Sequence, residues 1–152
     1  MMSTTQSITI SVSYLGTNGL PSLFDVVVTS DSTLNPTYPA SGTLYDAWCL
    51  DMRISINVPG TYVADTFSPY DSTVLASELP NLGNPGGYAE NLDSINWLLG
   101  YYSANSASVG YGNMQAAIWT LMGQDWHVGA AFLGATDQTV IDTLVGDALA
   151  HD

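Results

Sequence analysis

The chain has 152 residues, enough to bury the core of one domain, and 46% of them are hydrophobic. Only 10% are charged; Arg53 is the sole Lys or Arg, and the formal net charge is −13. A chain with a single Arg and no Lys cannot neutralise a row of phosphates, which argues against nucleic acid and an anionic membrane face as partners.

Frequent Ser, Thr, Asn and Gly give a polar, uncharged surface that suits an exported protein. The chain reads as one domain of a longer protein displayed outside the cell or at its surface. No apolar run is long enough to span a membrane. There is one Cys, Cys49, so no disulfide can form within the chain. A lone thiol in an exported chain needs burial, a partner chain or chemistry to account for it.

The first half reads as strands. Ile8, Ile10, Val12 and Tyr14 alternate with Thr9, Ser11 and Ser13, the pattern of a half-buried strand. Phe24 to Thr29 is a β-branched run between polar turns. Asn35 to Gly42 is a Pro-rich loop. Tyr45 to Ile56 reads as one or two strands carrying the Cys. Val58-Pro59-Gly60-Thr61 is a turn, and Tyr62 to Phe67 continues as a strand, so the two segments are expected to form a hairpin. Pro80 to Gly87 is a loop.

The period changes in the second half. Leu92, Ile95, Leu98, Leu99 and Tyr102 follow helical spacing. Gly110 and Gly112 precede a second helix with Met114, Ala117, Ile118, Leu121 and Met122 on one face, stopped by Gly123. Val140, Ile141, Leu144, Val145 and Ala148 form a third stripe, with Asp137 placed for its first turn. Strands first and helices later predict an α+β fold. Residues 1–152 are read as a single domain. A β-rich, sandwich- or barrel-like lobe over 5–70 precedes a helical lobe over 90–150.

Two segments carry the chemistry. One is Tyr45-Asp46-Ala47-Trp48-Cys49-Leu50-Asp51, with the thiol beside aromatics. The other is Met114-Gln115-Ala116-Ala117-Ile118-Trp119, with a Gln opening an apolar helix. Together they resemble the thioester domains of bacterial and archaeal surface adhesins. That family has an aromatic-Cys-apolar segment and, later, Gln-x-Ala-Ile-Trp at a helix start. The helix Ile95-Asn96-Trp97-Leu98-Leu99 extends the likeness, which spans Tyr45 to Met122. Met114 departs from the Thr that many members carry there. The contiguous Cys-Gly-Glu-Gln of complement-type proteins is absent.

The resemblance implies an internal thioester between Cys49 and Gln115 that captures an amine. The partner would be a Lys on a host or neighbouring surface protein, or a small amine. Such a module is a single-turnover covalent binder, not an enzyme, and it calls for no cofactor and no metal. Formation needs the thiolate, a proton source for departing ammonia and a donor for the oxyanion. Trp48, Trp119, Tyr45, Asp51 and Met114 are the expected pocket. The loop Gly110-Tyr111-Gly112-Asn113 is a candidate oxyanion donor.

Plainer readings stand beside this one. A lone Cys is often a small buried hydrophobe, in which case the chain is a structural surface or filament domain with an inert thiol. Gln115 would then cap its helix, and Trp97, Trp119 and Trp126 would be core. A third possibility pairs Cys49 with His127 as a hydrolase. No zinc-type ligand spacing or EF-hand pattern is present.

Overall fold

β-branched residues fit a pleated, half-buried surface, and three runs that carry them make the sheet together with Leu44–Ala47, which carries none. The computed structural model describes residues 6–14, 22–29, 42–52, 56–66 and 88–151. The expected loops at 35–41 and 80–87 lie outside these residues, as do Arg53 and Phe67. The strands are β1 (Gln6–Tyr14), β2 (Phe24–Val28), β3 (Leu44–Ala47) and β4 (Gly60–Thr66). They form one antiparallel sheet in the order β3-β2-β1-β4. Val12 faces Val26 on β2 and Gly60 on β4. Val12, Leu23 and Val28 are buried, while Ser13 is exposed, as the alternation predicts.

Among the described residues the expected hairpin is not formed. β4 pairs with β1, and β3 pairs with β2, so β3 and β4 lie at opposite edges of the sheet. Local turn chemistry suggested adjacency, but β1 offered β4 the longer alternating partner.

The described helices are α1 (Tyr88–Val109), α2 (Tyr111–Leu121) and α3 (Gln138–Ala150), with a 3₁₀ helix at Trp126–Phe132 between α2 and α3. The order of strands and helices makes the fold α+β. α1 breaks at Asn105, whose φ of −128° and ψ of 16° are not helical. Asp137 is the N-cap of α3, its carboxylate accepting from the N–H of Thr139 and Val140. Asp125 does the same for the 3₁₀ helix, accepting from the His127 N–H.

The chain divides into two compact units. The four strands belong to one. The helices belong to the other, together with Trp48–Met52. Within the helical unit, α2 packs against α1, α3 and the 3₁₀ helix, and Met114, Ala116, Ala117 and Ile118 are fully buried. A helix buried along most of its length is the centre of its unit. Gly112 permits this: a Cβ there would collide with the carbonyl oxygen of Leu133 and lie 2.8 Å from that of Ala135.

Candidate functional site

Gln115 is the polar exception in α2. Its side chain is fully buried, and an amide buried without partners costs roughly 1–3 kcal/mol. Its partners are both on Cys49. The Cys49 N–H donates to Gln115 Oε1 at 2.9 Å, and Gln115 Nε2 donates to the Cys49 carbonyl at 2.7 Å. The two residues, 66 positions apart in sequence, are thus joined by a reciprocal pair of hydrogen bonds.

This explains why Cys49 is not in a strand, contrary to the sequence expectation. β3 ends at Ala47. Beyond it, a backbone that would otherwise need a neighbouring strand takes side-chain amides instead. Gln124 extends the arrangement: the Met52 N–H donates to Gln124 Oε1 at 3.0 Å, and Gln124 Nε2 donates to Leu50 O at 2.9 Å. Gln124 is placed by the end of α2. Gly123 adopts φ 66°. Its N–H bonds to Thr120 O and that of Gln124 to Trp119 O, a closure that only a left-handed residue allows cheaply. The role of Gln124 was missed in the sequence; its signal was a second Gln immediately after the helix-stopping Gly.

The thiol is half-buried and is a free cysteine. Cys49 Sγ lies 3.2 Å from Asp51 O, which accepts from it. Burial pushes the thiol's pKa up. The Trp119 indole and the Asp51 backbone pull it down, and the charge of the Asp51 carboxylate raises it. Asp51 is itself buried.

The other expected site residues divide. Trp48 is half-buried and meets Tyr102 of α1 edge to face at 5.1 Å. Trp119, one turn beyond Gln115 on α2, is buried, and Met114 is core. Tyr45 is exposed on β3, in the other unit. Asp46 is exposed there too. The Gly110–Asn113 segment, the candidate oxyanion donor, opens α2. Gly110 is the N-cap of α2 and Tyr111 to Asn113 form its first turn, while Asn113 bonds Val109 O and the Asp137 N–H. The donor on Gln115 Oε1 is the N–H of Cys49 itself. His127 is exposed, with Nδ1 2.8 Å from Asp125 Oδ1 and its ring stacked on Trp126. It is not among the groups acting on the Cys49 thiol.

Among the described residues no group of three or more His, Cys, Asp or Glu side chains could hold a metal ion. No described helix is long and apolar enough to cross a membrane. No protein-family model, curated protein or solved structure matches the chain.

Proposed function

We propose that the chain is a covalent adhesion or anchoring module whose Cys49 and Gln115 condense to an internal thioester that captures an amine. The observation that carries this reading is the reciprocal hydrogen bonding of the Gln115 carboxamide to Cys49. An amide is a poor electrophile, and the fold offsets that by orientation; well-aligned intramolecular pairs reach effective concentrations of about 10⁵–10⁸ M. The Cys49 N–H on Oε1 polarises the carbonyl and holds the developing oxyanion. The Cys49 carbonyl holds Nε2, the nitrogen that leaves.

The balance is simple. The Cys49 sulfur bonds to Gln115 Cδ, the Cδ–Nε2 bond breaks, and the thiol proton leaves with the nitrogen as ammonia. An incoming primary amine then attacks Cδ. A C–N bond forms, the C–S bond breaks, and an amine proton returns to the thiol. The product is a stable amide at Gln115. The resemblance to surface adhesins supports an extracellular setting and a Lys side chain as the amine donor. The chain has no Lys with which to consume its own thioester.

A second reading has an observation of its own. Gln124 grips Leu50 and Met52 with the same two bonds and meets no thiol, so the Gln115 pair also serves as a structural anchor for an inert Cys49. Intact mass separates the two. Fresh protein at neutral pH is expected to be lighter than its sequence by one ammonia, with Cys49→Ala and Gln115→Ala each at their full sequence mass. A full-mass wild type still carrying Gln at 115, checked by tandem mass spectrometry, would leave the anchor reading in place.

A further inference from the structure

Among the described residues, one buried donor near the thiol stays unused in this chemistry. Trp119 is 3% exposed, and its indole Nε1 makes no hydrogen bond of normal geometry. Buried N–H groups without partners are rare and cost about 1–3 kcal/mol. The position is held from both sides. Trp119 follows Gln115 by one helical turn, so the two side chains share a face of α2. Behind the ring stands Gly129, where a Cβ would lie 2.8 Å from Trp119 Cζ3 and 3.0 Å from Cη2. The same Cβ would lie 2.8 Å from Met52 Cε, so the indole and the end of the Met52 side chain both border this glycine. Only a residue without a side chain fits at 129.

The indole shares its helix face with Gln115, which holds Cys49 by two hydrogen bonds, and its N–H favours the ionised form of the Cys49 sulfur. A neutral thiol is a weak acceptor, so the resting contact falls short of a formed bond. A thiolate is a strong acceptor, and a charge-assisted bond is about twice as strong as a neutral one.

We propose that the Trp119 indole N–H is the donor that stabilises the Cys49 sulfur as it becomes negatively charged. On the thioester reading, on which the catalytic part of this inference rests, that charge arises twice. It arises when the thiol loses its proton ahead of attack on Gln115 Cδ, and again when an incoming amine expels the sulfur. The donor is fixed before charge appears, so no reorganisation is needed at that moment. The other groups acting on the thiol belong to Asp51: its carbonyl accepts the thiol proton, its backbone favours the ionised form less than the indole does, and its carboxylate opposes the charge. Trp119 is thus the donor side chain that counters burial and the Asp51 charge.

The test is the pH profile of Cys49 alkylation by iodoacetamide in wild type and in Trp119→Phe, which keeps a ring and removes the N–H. Protein lighter by one ammonia is first opened with methylamine; protein at its sequence mass is used directly. The same thiol is therefore read whether or not the thioester exists, and the mass reports on that separately. The profile of Trp119→Phe is expected to move to higher pH, with alkylation at neutral pH slowing about tenfold for each unit moved. Where the variant forms a thioester, amine capture slows as well. If Trp119→Phe loses its fold by circular dichroism, site-specific benzothienylalanine at 119 replaces N–H by sulfur in nearly the same shape and takes the same measurement. Superimposable profiles in a folded variant overturn the inference and leave the thioester reading untouched.

Discussion

Gln115 and Gln124 grip one stretch of backbone with the same pair of amide hydrogen bonds, and Gln115 alone meets a thiol-bearing residue. The two are natural controls for each other. Gln115→Ala and Gln124→Ala each remove two hydrogen bonds and leave backbone groups without partners, so each should destabilise by about 1–3 kcal/mol. Only Gln115→Ala should abolish amine adducts. Urea unfolding and adduct mass read the two effects separately. Equal loss of adducts in both variants would mean that the glutamines act only through folding.

Methylamine should add at Gln115 and release one thiol per chain. The rate should climb with pH, because only the neutral amine attacks and alkylamines such as Lys titrate near 10.4, so roughly a tenfold gain per unit is expected below that value. Adducts that persist in Gln115→Ala would place the chemistry elsewhere.

Opening the thioester should also loosen the fold. The bond closes a long loop between α2 and the segment after β3, and by analogy with disulfides it is worth about 2–4 kcal/mol. Methylamine-opened wild type should therefore melt below the intact form although every carbon of Gln115 is retained. Equal melting temperatures would show that the bond is not a staple.

The opened form should acquire a pH dependence of its own. Burial raises the Cys49 pKa in the folded state, so the fold prefers the neutral thiol. That contribution is complete below the unfolded thiol's pKa of about 8.5 and is lost as pH rises through the higher folded value. Between neutral pH and about pH 9.5, opened wild type should lose stability relative to Cys49→Ala, which has nothing to titrate there. Parallel urea midpoints for the two would contradict the burial of the thiol.

Gly112→Ala tests how tightly α2 is held. Its methyl would meet the carbonyls of Leu133 and Ala135, and overpacking of this kind costs about 1–3 kcal/mol. Any shift of α2 displaces Gln115 from Cys49, so thioester formation should slow along with the drop in melting temperature. A variant as stable and as fast as wild type would show that the backbone contact gives way freely.

The helices were legible because their stripes are long: Ile95, Leu98 and Tyr102 are buried as spaced, and so are Ile141, Leu144 and Ala148. The approach of Cys49 to Gln115 was expected only from the paired motifs. What was misread has a common cause. Apolar Trp48, Cys49 and Leu50 look like strand, yet the Cys49 backbone and the Leu50 carbonyl are held by glutamines far along the chain, and no local pattern records that. The pairing of β4 with β1 was hidden for the same reason. The capping by Asp137 and Asp125 is local, and Asp137 was recognised near its place.

The orientation of Gln115 has a directional consequence. To meet the N–H and the C=O of one residue, its carboxamide must offer its oxygen and the hydrogen on the same side as that oxygen. In a secondary amide that position belongs to the substituent, since the arrangement that frees it costs about 2.5 kcal/mol. A captured amine therefore puts carbon where the Cys49 carbonyl found hydrogen. On the thioester reading, the same grip would close around the product only at that cost. The site would work as a ratchet, and the tether would persist because the chain has lost the geometry needed to cut it.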